Sequence, residues 1–348
     1  MKNFNLKKIN GYIEGYYGKL LSWEERFQVI DTLYKNKMNF YFYCPKEDLY
    51  HRRNWKMKYN NKWMSNFISF NNYASKKNIS VIFGISPGLD FDFKSYLNGS
   101  NKDLKLLKKK INSFLNIGVK FFSILFDDIP ENTSLNNLNY KEGEMHANLV
   151  NRIFSYCKRP IFAVPRIYSD ELAVENPNYL VDFYKNLNKE IFSFYCGKFV
   201  VSKSFSTKVK VVQNKINERK IIYWDNFYCN DYCPKRLIIG PWKNKNLIER
   251  SMINGTGLIH TDKLILEIVK ETANKKKCYA KWKNVLKKNK IPNEFFKICK
   301  EFLEPNISNQ NKINEIVYRK NIYPSIDFLL WKWKSELSRE WYNYILNK

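Results

Sequence analysis

Short runs rich in Ile, Val, Phe and Tyr recur along the chain, each followed by a longer stretch with apolar residues at helical spacing. Eight such runs can be marked: Ile9–Gly18, Met38–Pro45, Ile79–Pro87, Val119–Ile129, Pro160–Tyr168, Ile191–Gly197, Lys220–Asn226 and Gly255–Thr261. β-branched and aromatic residues suit a pleated, buried surface, so these runs predict strands. Between them, Trp23–Lys37, Trp63–Lys77, Leu104–Ile117 and Tyr140–Cys157 read as helices. Strand and helix in alternation predict a parallel sheet. Eight repeats predict its closure into a (β/α)8 TIM barrel, class α/β. An open doubly wound sheet is the alternative. It would bring a Gly-rich phosphate turn after its first strand, and neither G-x-G-x-x-G nor G-x-x-x-x-G-K-[ST] occurs.

After Thr261 the helical pattern takes over. Leu264–Ala273 serves as the eighth barrel helix, and Tyr279–Lys288, Pro292–Glu304, Asn311–Lys320 and Ile326–Leu346 read as further helices punctuated by Pro292, Pro305 and Pro324. The expected division is a barrel over residues 1–280 and a helical appendage over 281–348, packed on the barrel or used for pairing into a homodimer.

Composition narrows the function classes. Of 348 residues, 44% are hydrophobic and 17% aromatic, which is ample for a core and excludes wholesale disorder. The net charge of +27 would suit nucleic acid, an anionic membrane or acidic substrates. The Lys residues are scattered, however, with only short runs at Lys108–Lys110 and Lys275–Lys277, so no nucleic-acid partner is expected. The seven Cys are odd in number and lack the spacing of a disulfide framework or zinc site; Cys229 and Cys233 have no second pair to complete one. The three His are far apart. No metal and no cofactor is expected. Met1–Asn10 has no apolar stretch of signal-peptide length, and no window approaches the roughly 20 apolar residues of a membrane span, so the expected location is cytoplasmic.

In parallel barrels the chemistry lies at the C-terminal ends of the strands. The fourth run ends Phe126-Asp127-Asp128, delivering two carboxylates to the rim. Neighbours in a strand face opposite sides, so both enter one pocket only if the strand is ending there. Two close carboxylates split their proton affinities, as glycoside hydrolysis requires. On the pair alone, a helix cap or turn is the commoner use of Asp-Asp. Lys46 at the second strand end can hydrogen-bond a substrate hydroxyl, although most Lys are solvated. Tyr16-Tyr17, Tyr168 and Trp224 suit a sugar-stacking site, core packing being the alternative; Asn226 and Asp231 can equally be turn residues.

Several of these segments resemble glycoside hydrolase family 84, the O-GlcNAcases and related hexosaminidases. They are Gly11-Tyr-Ile-Glu-Gly-Tyr-Tyr-Gly18, Tyr43-Cys-Pro-Lys-Glu-Asp48 with Tyr50-His-Arg52, Phe83-Gly-Ile-Ser-Pro-Gly88 and Phe126-Asp-Asp-Ile129. Trp224-Asp-Asn226, Asn230-Asp-Tyr-Cys-Pro-Lys-Arg-Leu237 and Gly240-Pro241 complete the set, in the family's order. The resemblance implies a retaining exo-β-N-acetylglucosaminidase in which the substrate's own acetamido oxygen attacks the anomeric carbon to give an oxazoline. It implies that Asp127 orients the acetamido N–H and that Asp128 is the general acid, then base. It implies sugar hydrogen bonds from Gly15, Lys46, Asn226 and Asp231, an acetamido contact from Tyr168, and a wall for the acetamido methyl from Trp224. The implied partner is a GlcNAc-bearing protein or glycan, with O-GlcNAc on Ser or Thr preferred.

Three positions depart from the family pattern. Arg166 stands in place of a small residue, Tyr195-Cys196-Gly197 replaces Trp-Thr-Gly, and Thr261 stands where the family has a sugar-binding Asn after the eighth strand. The loss of that Asn leaves a catalytically silent GlcNAc-binding barrel as the alternative function.

Overall fold

The computed structural model describes residues 6–132, 141–233, 235–243, 249–273, 276–305 and 320–346. Eight parallel strands close into a barrel in sequence order: β1 Ile9–Glu14, β2 Phe40–Tyr43, β3 Ser80–Ile85, β4 Phe121–Leu125, β5 Ile161–Val164, β6 Phe192–Tyr195, β7 Ile221–Asp225 and β8 Arg250–Asn254. Closure is made by β8, which pairs with Tyr223–Asp225 of β7 on one side and with Ile9–Ile13 of β1 on the other. The open-sheet alternative is thereby excluded.

The strand period of two divides the apolar residues between two cores. Ile9 and Ile13 of β1, Phe40 and Phe42 of β2, Phe121 and Leu125 of β4, Phe192 and Phe194 of β6, and Ile222 and Trp224 of β7 fill the barrel interior. Tyr12, Tyr41, Phe122, Ile161 and Ile221, of opposite parity, pack outward against the helices. The first helix, Trp23–Lys35, is started by a reciprocal cap: the Glu25 N–H donates to Ser22 Oγ and the Ser22 N–H to Glu25 Oε2, at 3.1 and 2.7 Å. Helices Asn61–Lys76, Lys102–Leu115 and Glu142–Cys157 stand where the periodicity predicts them; Tyr140 lies outside the described residues.

The eighth strand is a correction. Gly255–Thr261 is not a strand: the chain leaves the barrel after Asn254, turns at Gly257 with φ +77°, and enters the helix Ile259–Thr272. The true strand, Arg-Ser-Met-Ile-Asn, carries only two apolar residues, set between polar ones, and so lacks the apolar run that marks the other strands. That helix also starts five residues earlier than Leu264.

The C-terminal helices Cys278–Lys288, Phe295–Ile298, Tyr323–Asp327 and Glu336–Leu346 share a third apolar core. There Trp282, Phe295, Leu329 and Trp341 meet Leu237, Ile239, Leu264 and Ile268 of the barrel. A boundary at residue 280 falls inside the first of these helices. Of the predicted helix Asn311–Lys320, all but Lys320 lies outside the described residues.

Candidate active site

The inward-facing series does not stop where the hydrogen-bonded strands stop. Two residues beyond Ile13 lies Gly15, beyond Cys44 lies Lys46, beyond Leu125 lies Asp127, beyond Trp224 lies Asn226, and beyond Met252 lies Asn254. The same parity that packs the apolar interior thus turns polar at its C-terminal end. These groups border one cavity of about 320 Å³. All eight residues to which the family resemblance gives a site role line it: Gly15, Lys46, Asp127, Asp128, Tyr168, Trp224, Asn226 and Asp231.

The Asp pair forms its charged wall. Asp127 is buried, and Lys46 Nζ is hydrogen-bonded to its Oδ2 and lies 3.2 Å from Asp128 Oδ2. Burial opposes the Lys46 charge, but the two carboxylates outweigh it and raise its pKa above the ordinary lysine value. The Oδ1 of Asp127 has no hydrogen-bond partner among the described residues. Asp128 accepts from Tyr168 OH at 2.7 Å and from Tyr17 OH at 3.0 Å. Burial raises its pKa, yet Lys46, then Tyr168 and Tyr17, prevail and hold it below the ordinary aspartate value. These contacts therefore keep Asp128 ionised at neutral pH.

The opposite wall is a neutral network. Trp224 Nε1 and Asn254 Nδ2 both donate to Asn226 Oδ1, at 2.8 and 2.9 Å, while Asn226 Nδ2 donates to the Val200 carbonyl at 3.0 Å. The Gly15 N–H donates to Asn254 Oδ1 at 3.2 Å. A side chain at position 15 would meet the Trp224 ring at 2.7 Å, which accounts for the glycine. Asp231 accepts from the Tyr17 N–H at 3.0 Å, tying the loops after β1 and β7 together.

Sequence reasoning missed Asn254 because it misplaced the strand that carries it. The signal was the parity series itself, two residues past Met252. Thr261 is not at the site: it is fully buried in its helix, donates through Oγ1 to Glu340 at 2.6 Å and accepts from Trp341 Nε1 at 2.9 Å. Tyr16 is also removed from the sugar candidates, being buried against Tyr12 OH at 3.0 Å, whereas Tyr17 lines the cavity. Arg166 does not enter the main cavity. Its Nε donates to Glu142 at 2.7 Å, and it lines a second hollow on the far side of Asp128. Cys196 lines the main cavity and accepts from Asn226 Nδ2 at 3.6 Å. None of the seven Cys forms a disulfide.

Comparison with known proteins gives this geometry a family. Residues 10–256, from β1 to just past β8, match the family described as beta-N-acetylglucosaminidase. The chain is similar to Protein O-GlcNAcase of Mus musculus and of Rattus norvegicus, 30% identical over 243 residues in each case. Those matches cover 68% of this chain and 26% of each relative, so the chain spans a minor part of their length. Among solved structures, a point variant of the Thermobaculum terrenum O-GlcNAc hydrolase superposes with a TM-score of 0.75 at 25% identity, covering 95% of this chain and 74% of that one. CpGH84B shares the fold, with a TM-score of 0.70 at 24% identity, covering 93% of this chain and 58% of its own. From the barrel, the polar crown on its strand ends and the match over residues 10–256, the chain belongs to the beta-N-acetylglucosaminidase family of glycoside hydrolases.

Proposed function

We propose that the chain is a retaining exo-β-N-acetylglucosaminidase that removes terminal β-linked GlcNAc by substrate-assisted catalysis. The observation that carries the reading is Asp127: a buried carboxylate on the cavity wall, anchored through Oδ2 by Lys46, with Oδ1 unmatched. An unmatched buried acceptor is costly, and an acetamido N–H entering the cavity would satisfy it. Fixing that N–H aims the acetamido oxygen at the anomeric carbon and stabilises the positive charge that develops on the amide. The oxygen attacks, the bond to the leaving oxygen breaks, and Asp128 gives that oxygen its proton. In the second half Asp128, now a carboxylate, takes a proton from the water that opens the oxazoline. Two inversions give net retention.

The ionised state of Asp128 sets a condition on this scheme. Substrate must weaken the hold of Lys46, Tyr168 and Tyr17 on the carboxylate and exclude water, both of which raise its pKa. A sugar hydroxyl that engages Lys46 does the first. Asn226, Asn254, Gly15 and Asp231 would receive the remaining hydroxyls, and Trp224 with Cys196 and Val201 would enclose the acetamido methyl. The silent-barrel reading rested on the missing Asn; with Asn254 at the end of β8 that support is gone.

For the natural substrate we favour O-GlcNAc on Ser or Thr of proteins; the relatives at 30% identity bear the name Protein O-GlcNAcase. We take the helical tail as an appendage seated on the barrel, with pairing through it and a cytoplasmic location as parts of the same proposal. Among the described residues no helix is long and apolar enough to cross a membrane. The test of mechanism is the N-acyl group. Stepwise fluorination of the acetamido methyl weakens its oxygen as a nucleophile, so kcat should fall with each fluorine. Rates indifferent to fluorination would argue for a protein nucleophile instead.

A further inference from the structure

Two adjacent residues on one chain cannot both face the barrel interior while the backbone stays extended. Here Asp127 continues the inward series and Asp128 reaches the same cavity. The change comes at Asp128 itself, whose φ is +55°, in the left-handed region that Asp enters only at a cost. Such a conformation persists where the surroundings over-determine it.

The group that does so is Arg52. Its Nη2 donates to the backbone carbonyl of Asp128, and its Nη1 donates at 2.7 Å to Tyr17 OH, which in turn donates to Asp128 Oδ2 at 3.0 Å. One planar guanidinium thus holds the main chain of Asp128 directly and its side chain through a tyrosine. Arg52 is 8% exposed, so these bonds are made largely away from water. It does not line the sugar cavity.

Arg52 is itself fixed. Asp48 accepts from Tyr43 OH at 2.6 Å, from Tyr59 OH at 2.8 Å and from the Tyr50 N–H at 2.8 Å. Lys110 Nζ donates to the carbonyls of Tyr50 and Trp55 at 2.7 Å and of Met57 at 2.8 Å. The loop after β2 is therefore clamped on both sides of Arg52. We propose that Arg52 is a positioning residue that holds Asp128 in the left-handed conformation, turning the acid's carboxylate toward the leaving group. This rests on the reading of Asp128 as general acid. A lysine would keep the charge but lose the two-pronged fork, so charge alone does not replace it.

The test compares wild type, Arg52→Met, Arg52→Lys and Asp128→Asn on a series of aryl β-N-acetylglucosaminides, from a dinitrophenyl to a methoxyphenyl leaving group. A good leaving group needs little proton; a poor one needs the acid in place. Arg52→Met should lose on the order of 10- to 100-fold in kcat on the poorest leaving group and less than about threefold on the best, with KM little changed. Arg52→Lys should lose in the same graded way, and guanidinium ion in the buffer should restore part of the Arg52→Met loss. A uniform loss across the series, or none, in a variant that melts like wild type overturns the proposal; Arg52→Lys serves if Arg52→Met does not fold. If Asp128→Asn is graded and the Arg52 variants are flat, only the positioning role falls. If Asp128→Asn is itself flat, Asp128 is not the acid and both fall.

Discussion

Replacing Lys46 with Met removes a cation held against both Asp carboxylates while leaving a side chain of similar length. The Lys46 and Asp127 side chains are 2% and 7% exposed, and that of Asp128 is 30% exposed. Breaking a buried ion pair by removing one partner costs about 3–5 kcal/mol. The partial exposure of Asp128 places the expected loss near the low end, about 3 kcal/mol at pH 7.5. The loss carries a pH signature. In the wild type the folded pKa of Asp128 lies below its ordinary value of 3.8. Its stabilising contribution is therefore complete above that value and is lost only as pH falls through the lower, folded value. Without Lys46 two neighbouring carboxylates face each other, and the folded pKa of one rises above the unfolded value. The folded variant then gains a proton before the unfolded chain does, so its deficit is full at high pH and shrinks as pH falls. Each unit of pKa difference is worth about 1.4 kcal/mol. Urea unfolding of both proteins between about pH 4.5 and 7.5 reads the difference. A deficit that stays constant over this range, or is below about 1 kcal/mol at pH 7.5, refutes the reasoning.

Three further outcomes are expected. Tyr168→Phe removes the 2.7 Å donor from Asp128, so the folded carboxyl pKa rises; the limb of kcat/KM that reports the acid's ionisation should move to higher pH, and a limb that stays or moves down contradicts the assignment. Asn254→Ala breaks the bonds to Gly15 N–H and to Asn226 and should raise KM for an aryl glucosaminide about tenfold with kcat less affected; an unchanged KM removes Asn254 from the site. Glu340→Ala strips three bonds, from the N–H groups of His260 and Thr261 and from Thr261 Oγ1, at the start of the helix Ile259–Thr272. It should cost about 2–4 kcal/mol in urea unfolding, and a loss under about 1 kcal/mol would mean the tail does not brace that helix.

Much of the barrel was readable because its strands are buried on both faces and therefore written as apolar runs. β8 was the exception: Arg250, Ser251 and Asn254 surround Met252 and Ile253, and closure of the ring, not composition, makes this segment a strand. That single slip put Thr261, which is buried in its helix, in the place at the cavity that Asn254 occupies. Gly15, Lys46, Asp127 and Asn226 were readable because they continue a two-residue alternation past the strand ends. What alternation does not carry is a change of backbone hand. Nothing in Phe126-Asp127-Asp128 announces φ +55° at the second Asp, nor that Arg52, far away in sequence, closes on its carbonyl. Tyr16 and Tyr17 make the same point: adjacent aromatics read alike, but one is packed against Tyr12 and the other faces Asp128.

The most direct test of the central claim is hydrolysis of a chromogenic aryl β-N-acetylglucosaminide by the purified protein beside its Asp127→Asn and Asp128→Asn variants. The wild type should turn the substrate over and release the β-anomer of GlcNAc. Asp128→Asn should lose about 10²–10⁴-fold on a poor leaving group, and Asp127→Asn should lose heavily on every leaving group. No turnover by a folded wild type, or variants that match it, would contradict the assignment of the Asp pair.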